Sequence, residues 1–256
     1  MKKQHVLLLI VLLMNFATFA QLQPVAYTDN QQKLNGFQGV LKKSIKDKPG
    51  VLILPAWLGI DKHAKDTAEQ LAVLGYYTFV ADIYGEGNYP KDRKEAGERA
   101  GYYKKNIDQY QKRIQLALAQ LIKSGANPDK IVVIGYCFGG TGALEAARAQ
   151  MQVQGVVSFH GGLGKDSTRE TKELTAKILV CHGADDPYVS AEEVTNFQKE
   201  MREAKADWQM IYYANAVHAF TDPEAGSDNA KGAAYNEKAA KRSWQHLLVF
   251  LKEVLQ

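Results

Sequence analysis

The sequence has little cysteine: two residues among 256, with no Cys-x-x-Cys motif. The missing motif disfavours a thiol redox protein that uses Cys137 and Cys181. Cys137 stands in a glycine-flanked turn, whereas Cys181 ends an apolar strand. We therefore expect no disulfide between them, and we interpret Cys181 as a small buried hydrophobic residue.

Long hydrophobic runs are also missing. The uncharged apolar run over 6–14 is shorter than the roughly 20 residues that a spanning helix needs, so we expect no membrane anchor. Lys2 and Lys3 precede this run, and small residues ending at Ala20 follow it. This order predicts a secretory signal peptide over residues 1–20 and an exported protein, periplasmic or secreted. The alternative interpretation is a buried N-terminal helix.

A large excess of charge of one sign is absent. The formal net charge is +4, and Lys2 and Lys3 contribute two of these charges. The remaining lysines and arginines alternate with aspartates and glutamates through every predicted helix, without a basic cluster. The sequence therefore predicts no nucleic-acid partner.

The sequence of residues 21–256 has no linker, internal repeat or low-complexity tract. A chain of this length suits one α/β domain with a single core. We expect this domain to be a monomer.

The pattern of apolar residues predicts an α/β fold. Alternation over 25–41, broken at Asp29 and Asn30, indicates a short antiparallel hairpin. Apolar runs rich in β-formers then alternate with helical stretches, and such runs are typical of parallel strands buried on both faces. The runs cover 51–54, 77–81, 131–134, 156–159, 178–180 and 210–213. We expect a mainly parallel sheet with helices on both faces and the active site at the carboxyl ends of its strands.

The segment Gly135-Tyr136-Cys137-Phe138-Gly139 follows one of these strands and precedes a predicted helix over 141–149. This pattern is typical of a nucleophile elbow, here with cysteine in place of serine, and it predicts the α/β-hydrolase fold. The Phe138 amide then faces a developing oxyanion, and the helix dipole favours the thiolate of Cys137. The alternative is a structural cysteine in a tight packing turn.

An acid and a base follow the elbow in the order that this fold uses. Asp186 and Asp185 stand in the loop after strand 178–180, and we favour Asp186 because it is three residues after Gly183 and precedes a proline. His218 follows strand 210–213 and is the predicted base. In this arrangement His218 takes the Cys137 proton while Asp186 fixes the tautomer of His218.

Two further histidines, His160 and His182, stand at strand ends. One interpretation is that they line the pocket, and the other is that they are loop histidines bonded to the backbone. His63 and His246 fall on predicted helices and compete poorly as the base.

These motifs, together with Ala81-Asp82-Ile83-Tyr84-Gly85 and Val217-His218-Ala219-Phe220, resemble those of the dienelactone hydrolase family. The resemblance implies an α/β-hydrolase fold and hydrolysis of a lactone or ester without a metal or organic cofactor. It also implies that Trp57, after strand 51–54, supplies the second oxyanion amide.

The sequence departs from the family at two positions. Ala56 stands where the family has a glutamate that interacts with the resting cysteine, and Asp222 stands where it has an arginine that holds a substrate carboxylate. Arg99 is either a second family arginine or a solvated surface residue. Ala56, Arg99 and His160 are the predicted pocket residues, and the departures argue against strict dienelactone specificity.

Two functions are compatible with these residues. The favoured function is hydrolysis of a small ester, lactone or thioester through a thioester on Cys137. The alternative is a non-catalytic periplasmic protein that binds a small molecule in the same pocket, with Ala56 marking the loss of activity.

Overall fold

The computed structural model describes residues 21–255, so the predicted signal peptide lies outside the described part of the chain. One eight-stranded sheet has the order β1-β2-β4-β3-β5-β6-β7-β8. Its strands are β1 Leu22–Asp29, β2 Gln32–Gly39, β3 Gly50–Leu54, β4 Tyr77–Val80, β5 Ile131–Tyr136, β6 Gly155–Phe159, β7 Lys177–Gly183 and β8 Trp208–Tyr213. The first two strands pair antiparallel, and β3 to β8 pair parallel. The predicted α/β-hydrolase fold with an N-terminal hairpin is confirmed.

Helices cover both faces of the sheet. They are α1 Lys62–Val73, α2 Arg93–Lys105, α3 Ile107–Lys123, α4 Phe138–Arg148, α5 Ala191–Glu203 and α6 Glu237–Leu255. Buried side chains of α1 and α6 form one core with one sheet face, and those of α2 to α5 form a second core with the other. Strands β3, β5 and β6 are buried along their whole length, which explains their continuous apolar runs. No helix of residues 21–255 is long and apolar enough to cross a membrane.

The register aligns the carboxyl ends of neighbouring strands. Leu54 pairs with Gly135, and Tyr136 pairs with Phe159. This pairing extends β5 two residues beyond the apolar run 131–134, because the backbone of Gly135 and Tyr136 still bonds to the neighbouring strands. The loops that follow β3, β5, β6 and β7 therefore meet at one edge of the sheet.

A buried ionic network anchors α4, the helix that follows the elbow. Arg148 bonds to Glu145 at 2.9 Å and to Glu200 of α5 at 2.7 Å, and Arg169 bonds to Glu145 at 2.8 Å. Glu145 is 1% exposed. Every carboxylate in this network has a cationic partner, as buried charges require. The network ties α4 to α5 and to the loop that contains Arg169.

Candidate active site

Cys137 lies at a sharp turn between β5 and α4. Its φ of 52° and ψ of −114° are unfavourable for a residue with a Cβ. The turn is closed by glycines: a Cβ on Gly135 would lie 1.9 Å from the Gly139 carbonyl oxygen, and one on Gly139 would lie 2.1 Å from the Leu54 carbonyl oxygen. The elbow therefore packs backbone against backbone, directly on the end of β3.

His218 and Asp186 form a buried hydrogen bond. The Nδ1 atom of His218 lies 2.8 Å from Oδ2 of Asp186, whose side chain is fully buried. The other carboxylate oxygen accepts the Tyr188 N–H at 2.9 Å. Asp185, by contrast, is exposed. The loop after β7 thus directs Asp186, and not its neighbour, toward the histidine.

The Cys137 thiol lies close enough to His218 for each group to shift the pKa of the other. Burial alone would raise the pKa of Cys137, but the charge and hydrogen bond of His218, the Phe138 amide and the Lys104 ammonium group lower it. Burial alone would lower the pKa of His218, but Asp186 and the Cys137 sulfur raise it to about 10. The pair therefore favours a thiolate beside an imidazolium, the charge state that activates a cysteine nucleophile.

Two backbone segments lie beside the elbow. One contains the Phe138 N–H, at the start of α4, which is among the groups that lower the pKa of Cys137. The other segment is the turn after β3, in which Gly59 N–H donates to the Ala56 carbonyl at 3.0 Å. Tyr84 fixes this turn, since its hydroxyl donates to the Trp57 carbonyl at 2.7 Å. Amides held in this way suit an oxyanion site.

Aromatic side chains surround the elbow. The Phe138 ring stacks on Tyr110 with centroids 4.5 Å apart and on Tyr84 at 5.8 Å. Tyr188 packs edge-on against His218, with centroids 5.3 Å apart, and is 61% exposed. Phe138, Tyr110 and Tyr84 are buried, so among these four rings Tyr188 alone offers exposed aromatic surface beside His218.

The sequence profile of the dienelactone hydrolase family matches residues 37–255. The chain belongs to the dienelactone hydrolase family. Its strand order, with the antiparallel N-terminal hairpin, agrees with the resemblance noted from the motifs.

Three similar proteins illustrate the relationships of the chain. A Bradyrhizobium protein named "Probable 2-oxo-3-(5-oxofuran-2-ylidene)propanoate lactonase" is 29% identical over 80% of this chain and 83% of its own. An uncharacterised Caenorhabditis elegans protein is 38% identical over 48% of this chain and 80% of its own. The crystal structure of a dienelactone hydrolase-like promiscuous phosphotriesterase from metagenomic libraries is 34% identical, with a TM-score of 0.87 over 93% of this chain and 100% of that one.

Membership of this hydrolase family identifies the chain as an enzyme, not as the binding protein considered from the sequence. Cys137 and Cys181 are both free. Among residues 21–255, no group of three or more histidine, cysteine or acidic side chains is placed to hold a metal ion.

The predicted pocket residues of the hydrolase fall in different environments. Ala56 is partly buried in the turn after β3, and Arg99 is exposed on α2 near Tyr84. His160 is only 2% exposed, and both its ring nitrogens have protein partners. This placement agrees with the interpretation of His160 as a loop histidine bonded to the backbone, and not with a side chain that lines an open pocket.

Several site residues of the hydrolase were not predicted from its sequence. A groove of about 760 Å³ adjoins the elbow at Thr141 and Gly162, and Lys104 lies on its wall. The sequence does not distinguish Lys104 from the other lysines of α2. Tyr188 lies in a loop, where no sequence motif singles it out. Thr221 follows His218 by three residues and bonds to His160. Its closeness to the predicted base was the one available signal.

Proposed function

We propose that this enzyme hydrolyses small esters, lactones or thioesters, with Cys137 as nucleophile, His218 as general base and acid, and Asp186 as the residue that orients His218. The observation that supports the proposal most directly is the 2.8 Å hydrogen bond between His218 and the buried Asp186, next to Cys137 at the elbow. These residues lie where parallel strands end, which is the usual place for a site in this fold class.

In the first half-reaction the Cys137 thiolate attacks the carbonyl carbon, and the carbonyl electron pair moves onto oxygen. The Phe138 and Trp57 amides stabilise that oxyanion. When the intermediate collapses, the carbon–oxygen bond breaks, and the leaving oxygen takes the proton from Nε2 of His218. The product is a thioester on Cys137, and with a lactone the new hydroxyl stays attached to the acyl group.

In the second half-reaction water attacks the thioester. His218, now neutral, takes a proton from that water, and Asp186 stabilises the imidazolium that forms. Collapse of the second intermediate expels the Cys137 thiolate and releases the acid. The resting thiolate–imidazolium pair is thereby restored, so no external oxidant, reductant or metal is consumed.

The substrate class follows from the site walls and from the relatives. The exposed Tyr188 and the partly buried Trp57 offer apolar and aromatic surface, which suits a small, weakly polar acyl or alcohol group. The name of the Bradyrhizobium relative supports the inclusion of lactones. The promiscuous phosphotriesterase supports one phosphotriester as a test of side activity, with the same thiolate as nucleophile.

We also propose that the enzyme acts outside the cytoplasm. The support is the order of Lys2 and Lys3, the apolar run 6–14 and the small residues that end at Ala20. Expression of the full chain in a bacterium with an outer membrane, followed by fractionation and N-terminal sequencing, tests this. We expect a processed chain that begins at Gln21 outside the cytoplasm, and an unprocessed cytoplasmic chain would contradict the proposal.

The test of the activity is a panel of esters, lactones, thioesters and one phosphotriester, assayed before and after treatment with iodoacetamide. Burial raises the pKa of Cys181 to about 12, so the reagent is selective for Cys137. We expect turnover of at least one ester or lactone, and its loss on alkylation. Turnover that survives complete alkylation of Cys137, or no turnover on any member, would contradict the proposed function.

A further inference from the structure

A line of hydrogen bonds runs from the Cys137 backbone to His63, in the first turn of α1. The Cys137 N–H donates to the Phe159 carbonyl at 3.0 Å and to Nδ1 of His160 at 3.2 Å. His160 Nε2 lies 2.8 Å from Oγ1 of Thr221, and that oxygen lies 3.1 Å from Nε2 of His63. We call His160, Thr221 and His63 the polar relay.

The direction of every bond in the relay is determined by its first member. A backbone amide always carries its hydrogen, so Nδ1 of His160 must be the bare, accepting nitrogen. The proton of neutral His160 is then on Nε2 and points to Thr221. The Thr221 hydroxyl, which accepts from His160, is free to donate to His63.

The relay contacts both members of the proposed ion pair. Its bond to the Cys137 N–H holds the residue that has the unfavourable positive φ. The ring of His160 also packs edge-on against His218, with centroids 5.2 Å apart. Burial, His218 and His63 all lower the pKa of His160 well below its ordinary value, so the ring adds no competing positive charge.

We propose that His160 and Thr221 are positioning residues, which hold the Cys137 backbone and the His218 ring in the geometry of the thiolate–imidazolium pair. This inference rests on the proposed function. His63 supplies the far end of the relay, in a cavity of about 640 Å³ between α1 and α6. Loss of the Thr221 hydroxyl leaves the buried Nε2–H of His160 without an acceptor, and the ring is then expected to turn away from Cys137.

Charged and titratable groups lie near both ends of the relay. Those near Cys137, besides the relay, are His218, Lys104, Tyr84 and Tyr110. Those near His63 are Asp61, Asp66, Asp222 and Glu224. His182 also faces His160. A Thr221→Val substitution changes none of these charges, so a shift in the titration of Cys137 would report geometry.

The experiment measures the rate of Cys137 alkylation by iodoacetamide against pH in wild type, Thr221→Val and Thr221→Ser. We expect the midpoint in Thr221→Val to rise by about 0.5–1 pH unit, which corresponds to a three- to tenfold weaker ion pair. Thr221→Ser, which keeps the hydroxyl, should return the midpoint to the wild-type value. A matched control is Thr78→Val, since Thr78 is also buried and its hydroxyl donates to the Ala68 carbonyl at 3.1 Å, outside the relay.

The control should lose stability on heating without a shift of the midpoint. If Thr221→Val does not fold, His160→Asn decides, because asparagine tolerates the positive φ of 39° but is too short to reach Thr221. An unchanged midpoint in whichever variant folds would overturn the relay. A wild-type midpoint equal to that of an ordinary thiol would contradict the resting ion pair of the proposed function instead, so the two failures are distinguishable.

Discussion

The Nδ1 atom of His218 lies 2.8 Å from Oδ2 of Asp186, although 32 positions separate the two residues in the chain. The second oxygen of Asp186 is held by the Tyr188 amide at 2.9 Å. Because one oxygen faces an N–H of the backbone, the carboxylate cannot rotate without the loss of a hydrogen bond. The fixed Asp186 carboxylate therefore determines the orientation of the His218 ring.

Asp186→Asn should lower kcat by on the order of 10³–10⁴-fold, because an amide group presented to His218 favours the wrong tautomer. Asp185→Asn, the matched control in the same loop, should change kcat by less than about twofold, since Asp185 is exposed. Steady-state kinetics on the best panel substrate checks both. A larger effect in Asp185→Asn than in Asp186→Asn would reassign the acid.

Cys137→Ala should abolish hydrolysis and leave the thermal unfolding midpoint close to that of wild type, since the sulfur contributes chemistry and little packing. Cys137→Ser should keep only a small part of the activity, because a hydroxyl is a much weaker nucleophile beside a base adapted to a thiol. Circular dichroism on heating and the ester assay measure the two effects. Wild-type turnover in either variant would remove Cys137 from the mechanism.

Gly139→Ala should lower the free energy of unfolding by about 1–3 kcal/mol and impair activity, because its Cβ meets the Leu54 carbonyl oxygen at 2.1 Å. Gly101→Ala is the control: it lies inside α2 with nothing within 4 Å of the new Cβ. Removal of that helix glycine should stabilise the protein by roughly 0.5–1 kcal/mol. Urea unfolding of both variants tests the contrast, and equal effects would contradict the close backbone packing of the elbow.

Cys137 should react with alkylating agents below about pH 7, where an ordinary thiol of pKa about 8.5 is mostly protonated. His218, the Phe138 amide and Lys104 lower the pKa of Cys137, so the thiolate persists as pH falls until the lowered pKa is reached. The measurement is the alkylation rate against pH. His218→Ala should shift the midpoint upward, and so should Ala56→Glu, which adds a negative charge in the turn beside the elbow.

An unchanged midpoint in Ala56→Glu would show that the glutamate missing at this position has no influence on the charge state. A wild-type rate no faster than that of an ordinary thiol below about pH 7 would contradict the resting ion pair itself.

Much of this site could be predicted because its signals are local. Gly135, Cys137 and Gly139 stand together after an apolar strand, and the elbow geometry forces that spacing. The register from Gly183 also favoured Asp186 over Asp185. These features depend on a few consecutive residues, so a single sequence contains them.

The remainder depends on contacts that the chain order does not encode. His160 meets Thr221 across 61 positions, and His63 meets Thr221 across 158. The sequence therefore indicates only that His63 lies on a helix, and not that it contacts Thr221. The burial of Glu145 could not be predicted either. Its partner Arg169 lies in an irregular loop, and only the packing of α4 brings the two side chains together.

The most direct test of the account is to identify the acyl-enzyme by mass. Wild type mixed with an activated ester is quenched in acid within milliseconds, and the intact protein and its peptides are weighed. The account predicts one acyl group, attached to the peptide that contains Cys137, removed by hydroxylamine and absent in Cys137→Ala. An acyl group on any other residue during turnover, or turnover by Cys137→Ala at the wild-type rate, would contradict it.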